Sequence, residues 1–252
     1  DTPRRTIPIN KQNPQHIPEP LSQAVVAMGD ANFWRHSGYA INGWGNPDLH
    51  PTIAQKLVYD LLLYNEPRSV QRAIREPILA AQITARYGRS QILEWYLNYT
   101  HFGRYAYGVD SAARLYFGKS ATDLSLAESA MLAAVSQSPS LDPLDAPQIA
   151  VQRGREALYV LQSLGTESEA DIQTALKENP TIQPAPPSVP QPAEVFTNLV
   201  LSQLDSHFPR ARIERGGLTI TTTLDYDLQK QASCLTEIYA ARLAGLSEPE
   251  TQ

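Results

Sequence analysis

Two groups of polar side chains in this sequence have types and spacing that suit chemistry. In the first, Asp30, Phe33, His36 and Gly38 fall within nine positions, directly after the apolar helical run of residues 24–28. A carboxylate and an imidazole gathered at a helix end suit a site, and they serve equally well as a helix-end cap and a hydrogen-bonded structural histidine. In the second, Arg68, Arg72 and Arg75 lie at helical or near-helical spacing before Glu76. Three guanidinium groups can bind a pyrophosphate. The plainer reading is a solvated basic face paired with Glu66 and Glu76.

Helices must position both groups. Helical reading begins at Leu21, and apolar residues recur at helical spacing in Ile53, Leu57, Val58, Leu61 and Leu62, then in Ile78, Leu79, Ile83, Ile92, Leu93, Tyr96 and Leu97. Ser125 and Glu128 form a capping-box pattern before the alanine-rich run 129–135, so that helix should be buried on most sides and stop near Pro139. Another helix is expected over 146–164, ended by Gly165, and a shorter one within 166–177.

Both flanks read differently. Residues 1–20 hold five prolines and read as an extended arm. Six prolines between 179 and 192 read as a polyproline-like connector and mark a boundary. Beyond it, 195–204 reads as helix, the β-branched, alternating run 216–224 as strand, and Asp225 as the cap of a last helix through Leu243.

The bulk numbers set outer bounds. A chain of 252 residues has room for one sizeable domain, or one domain with an appendage. With 26 acidic and 21 basic residues the net charge is −5, which argues against a nucleic-acid partner. No run approaches the roughly 20 apolar residues a membrane span needs, and residues 1–10 lack a signal core, so a soluble piece of an anchored protein is expected. The single cysteine, Cys234, excludes an internal disulfide and leaves the redox compartment open.

From Leu21 to about Leu164 the order of motifs resembles glycosyltransferase family 51, the peptidoglycan glycosyltransferase domain of class A penicillin-binding proteins. The residues that carry the resemblance are Arg89, Glu94, Trp95, Tyr96, Leu97 and Asn98, then Phe102-Gly103, Ala106-Tyr107-Gly108, Tyr116-Phe117-Gly118-Lys119 and Ser125-Leu126-Ala127-Glu128. The run 216–225 with Leu228-Gln229 is similar to the linker that precedes a transpeptidase domain in that family. A Ser-x-x-Lys nucleophile motif is absent from this sequence, so penicillin-type acylation is not expected of this piece.

The resemblance implies roles and also exposes gaps. Its first motif supplies a Glu as general base, and here that position is Gly29, followed by a fitting Asp30, Phe33, His36 and Gly38. Its second motif touches the donor phosphates. Thr52, Ile53 and Gln55 remain of it, Tyr59 stands where a lysine is usual, and Lys56 offsets the lost charge. Its third motif implies pyrophosphate binding by Arg68, Arg72 and Arg75, with Glu76 as the second essential Glu positioning the leaving phosphate; Ala73 replaces a lysine and Pro77 suggests a kink or a helix start. The stretch between His36 and Thr52, with Gly43, Gly45 and Pro47, is shorter than the family's mobile flap and reads as loop. Glu94 and Asn98 are implied to hold the fold together rather than to do chemistry.

A mainly α, lysozyme-like domain over 21–178 is therefore expected, with a small α+β linker module over 193–252 after the arm (1–20) and the connector (179–192). The implied function is a peptidoglycan glycosyltransferase-type domain at the extracytoplasmic face of a bacterial plasma membrane, binding lipid II or glycan strands and impaired by Gly29. Two alternatives stand beside it: an active polymerase whose base is Asp30 or Glu76, and a non-catalytic module that regulates or scaffolds other cell-wall synthases. No cofactor is required by the sequence, and Mg or Mn at the donor pyrophosphate is the one metal implied. Asp30 and Glu76 facing an open groove would favour the enzyme; a groove filled by Trp34, Tyr39 or Trp44 would favour the binding module.

Overall fold

The structure is a computed structural model that describes residues 6–13, 15–41, 49–64, 66–67, 69–104, 106–184, 193–208, 213 and 218–245. Arg68, residues 42–48 of the shortened flap (Trp44 among them) and the double glycine at 216–217 lie outside the described residues. The chain divides into two units, Asp1–Ala185 and Pro186–Gln252.

The first unit is helical among its described residues, in keeping with the mainly α class expected. Its helices are α1 (Glu19–Gly29), α2 (Ile53–Val58), α3 (Val70–Tyr87), α4 (Arg89–Tyr99), α5 (Val109–Phe117), α6 (Leu126–Gln137), α7 (Pro147–Leu164) and α8 (Glu169–Lys177). Local chemistry sets their ends. Thr52 caps α2, Ser69 caps α3 and Ser168 caps α8, each hydroxyl accepting from a backbone N–H of the first turn. The Ser125–Glu128 capping box forms, with both of its reciprocal bonds present.

The centre of the unit is α6, every residue of which from Ala127 to Ser136 is buried. It packs against α1, α5, α7 and α8. Small side chains permit the close approach: at Gly154 of α7, an added Cβ would sit 3.1 Å from the Met131 Cα. A second group, α2, α3 and α4, packs mutually, and the two groups carry the two polar clusters seen in the sequence.

One expectation needs correction here. Pro77 neither starts nor ends a helix, because it lies inside α3. Proline removes one backbone donor, to the carbonyl four residues back, and the helix continues because its buried face holds it. The N-terminal arm is extended but not free: the Asn98 amide bonds both the N–H and the C=O of Ile7 at 2.8 and 2.9 Å, and Glu94 Oε2 accepts from the Ile9 N–H at 2.9 Å. Ile7 and Ile17 are buried in the core as a result. Glu94 and Asn98 thus tie the arm to α4.

The second unit contains α9 (Glu194–Asp205) and α10 (Tyr226–Leu243), the latter capped by Asp225 as expected. The strand expected over 216–224 is not formed among the described residues, where 218–225 runs without a ladder. A β-branched run favours extended backbone, but a strand also needs an adjacent edge for its N–H and C=O groups. Among the described residues, no helix is long and apolar enough to cross a membrane.

Candidate functional site

The end of α1, the start of α2 and the first half of α3 bring Asp30, His36, Thr52, Gln55 and Glu76 into one hydrogen-bonded chain. Gly38 N–H donates to His36 Nδ1 at 2.9 Å, so the imidazole proton sits on Nε2, which donates to Asp30 at 2.8 and 3.0 Å from its two oxygens. Asp30 Oδ2 also accepts the Ile53 N–H, one of the free donors at the start of α2, at 3.1 Å. Asp30 is buried, and its carboxylate joins two helices.

Gly38 connects this pair to the next residues. Its φ is +93°, and a Cβ there would collide with the Thr84 hydroxyl, so a side chain is excluded twice over. Its carbonyl accepts from Thr52 Oγ1 at 2.8 Å, and Gln55 Oε1 accepts from the Ala40 N–H at 2.9 Å. The Gln55 amide then donates to Glu76 Oε1 at 3.3 Å. The remaining Glu76 oxygen, Oε2, accepts from His50 Nδ1 at 3.0 Å, with both side chains 8% exposed.

His50 was given no role in the sequence reading. Only the fold shows that its ring turns toward a carboxylate 26 positions away. The ring stacks on Tyr59, with centroids 4.1 Å apart and planes at 21°. Around the same tyrosine stand the Arg72 guanidinium at 5.3 Å and Lys56 Nζ at 5.9 Å.

The basic residues are partly committed. Arg72 is buried and donates to the Glu66 carbonyl at 3.1 Å, while Arg75 pairs with the Glu66 carboxylate at 2.7 Å on the surface. Lys56 pairs with Asp60 one turn along at 3.0 Å. Phe33 is buried and packs edge-on against Trp34 at 4.9 Å, as core rather than as a sugar platform. Trp34 and Tyr39 are 53% and 43% exposed, so neither plugs the cluster; the space beside Glu76 is taken by His50 and Gln55 instead.

Position 29 ends α1, and an added Cβ there would meet the Gln137 amide of α6 at 2.8 Å. That amide ends a flexible side chain, so a larger residue is admitted if it moves. Gln137 also neighbours Tyr96, whose phenol burial pushes up to about 12, with hydrogen bonding to Thr100 and Gln137 opposing. Among the described residues, no three His, Cys, Asp or Glu side chains gather as a metal-holding group. An ion bridging a pyrophosphate would draw its ligands chiefly from phosphate and water.

Residues 51–163, which include α2 to α6 and most of α7, match the family model for the transglycosylase domain. The chain carries a transglycosylase domain. It is 32% identical over 240 residues to penicillin-binding protein 1A of Aquifex aeolicus, covering 90% of this chain and 32% of that protein. It is 34% identical over 248 residues to penicillin-binding protein 1A of Rickettsia typhi, covering 90% of this chain and 30% of that protein. The chain thus spans about a third of the length of these relatives. A solved structure of penicillin-binding protein 1A from Haemophilus influenzae aligns over 81% of this chain and 22% of its own, at 22% identity and a TM-score of 0.46.

Proposed function

We propose that this chain is a peptidoglycan glycosyltransferase-type domain that binds lipid II or a glycan strand in cell-wall synthesis and is catalytically impaired. In the reaction the family resemblance implies, a base takes the proton of the acceptor 4-hydroxyl, that oxygen bonds to the donor's anomeric carbon, and the lipid pyrophosphate leaves. The observation that carries the reading is the state of the carboxylates. Position 29 has none, and loss of a general base costs about 10²- to 10⁴-fold in rate. Asp30 is buried and holds His36 and the Ile53 N–H, while Glu76 is buried and holds His50 and Gln55.

Those same bonds count against the active alternative, since Asp30 or Glu76 would have to leave its donors to act as base. Binding survives loss of the base. Lys56 and Arg72 stand by the Tyr59 ring, and Arg72 and Arg75 both bond Glu66; with Thr52 and Gln55, and with Arg68 in the same run, they are the pyrophosphate-binding residues of this reading, with Mg or Mn carried by the phosphates. Exposed Leu62, Val70, Ile74 and Ile78 lie near Arg75 in sequence and suit a lipid surface, which fits a site on the outer face of the plasma membrane. A binding-competent, slow domain would regulate or scaffold other cell-wall synthases.

The test is incubation with lipid II and Mg²⁺ or Mn²⁺, beside the Gly29→Glu variant, with glycan polymer and lipid II binding measured together. Binding without polymer is expected from the unaltered chain. Polymer from that chain would sink the impairment, and absence of both polymer and binding would sink the substrate assignment.

A further inference from the structure

His50 supplies a feature the family resemblance does not account for. Its Nδ1 is committed to Glu76, and a carboxylate can only accept, so Nδ1 carries the proton. Its Nε2 makes no hydrogen bond among the described residues. Nor is Nε2 one of the buried atoms left without a partner, which are Gln23 Oε1, Thr100 Oγ1 and Ser129 Oγ. The imidazole is therefore held on one edge and one face, by Glu76 and Tyr59, and its Nε2 is left without a hydrogen-bond partner among the described residues. This is the arrangement in which a carboxylate orients a ring so that its second nitrogen meets a ligand.

We propose that His50, oriented by Glu76, is a pH-dependent ligand for a phosphate oxygen of a lipid-linked pyrophosphate, replacing the positive charge lost where Tyr59 stands. The inference rests on the substrate class argued above and adds the regulation of that site. A phosphate oxygen accepts only, so Nε2 must carry a proton to bind it, and binding takes up that proton from solvent. Among the described residues, the charged groups set about the ring are Glu76 of α3, which accepts from Nδ1, and Arg72 of α3 and Lys56 of α2, both near the Tyr59 ring. Affinity for pyrophosphate then rises as pH falls through the histidine range.

Calorimetric titration with inorganic pyrophosphate, without divalent ion, at about pH 8 and pH 6 tests this on the whole chain and on His50→Gln. The ligand's own protonation affects both proteins alike. The wild-type affinity is expected to gain about five-fold more than that of His50→Gln over the interval. Equal pH dependence in the two, or no pyrophosphate binding by the wild type at either pH, would overturn the proposal. A second readout needs no variant: nitrogen-detected NMR of the His50 ring should show its titration moving to higher pH with saturating pyrophosphate, and an unmoved titration also overturns it. Repeating the calorimetry with lipid II in detergent micelles separates the sources. The same pH dependence is expected there, and its confinement to free pyrophosphate would overturn the lipid-linked assignment. Lipid II binding that ignores pH fails the His50 inference and leaves the proposed function standing.

Discussion

On α4, Glu94 and Asn98 bond the backbone of the N-terminal arm, whereas on α3 Glu76 bonds two side chains, His50 and Gln55. Both sets are buried polar contacts between distant segments, yet they constrain the sequence differently. A side chain that satisfies backbone groups cannot change without leaving a buried N–H or C=O unpaired. One that bonds other side chains can be replaced together with its partners, and the helices beneath stay as they are. The residues of the α4 set are therefore held to their types more tightly than those of the α3 set.

The strongest way to break that contrast is at Asn98. Asn98→Ala removes the partners of both polar groups of Ile7 and of the Glu94 carbonyl, and a loss of about 2–4 kcal/mol is expected in denaturant unfolding. A loss no larger than that of a surface substitution would show that the arm does not depend on the clamp. The corresponding change at the chemical face, Glu76→Gln, keeps the side-chain size and an acceptor for His50, and about 1 kcal/mol is expected by the same measurement. Should Glu76→Gln cost as much as Asn98→Ala, the division between backbone-bound and side-chain-bound regions fails.

A pH series sharpens the comparison from a third buried carboxylate. Burial raises the Asp110 carboxyl, but the Ala121 N–H, Arg114 and Ser120 outweigh it and hold the group below the usual carboxylate range. A depressed folded value contributes stability above the unfolded value of about 4, and that contribution is lost as pH falls through the folded value. Thermal melts should therefore show Asp110→Asn less stable than wild type at pH 7, with the gap closing toward pH 3. A gap that persists at low pH would assign the effect to packing. The smallest effect is expected at Arg75→Ala, whose pair with Glu66 lies on the surface and is worth below about 1 kcal/mol.

Much of the scaffold was legible beforehand because its signals are short-range. The capping box at Ser125, the glycine stop after Leu164 and the cap at Asp225 each involve residues within one helical turn, and each was found where the sequence placed it. Pro77 and the 216–224 run misled for a related reason. Each carries a real local preference; a buried helix face decided against it in one case, and in the other no strand pairs with 218–224 among the described residues.

The site divides along the same line. Residue types placed Asp30, His36 and Glu76 as candidates, and the family resemblance added Thr52 and Gln55 and implied a carboxylate at the position that Gly29 holds. That Asp30 spends its oxygens on His36 and the start of α2, that Glu76 is claimed by His50 across 26 positions, and that Asn98 reaches back 91 positions to Ile7 were decided by packing. Helical spacing and caps act over three or four residues and can be read along the chain. A hydrogen bond between buried groups far apart exists only once the helices have brought both out of water, where an unpaired partner would cost more than the bond returns.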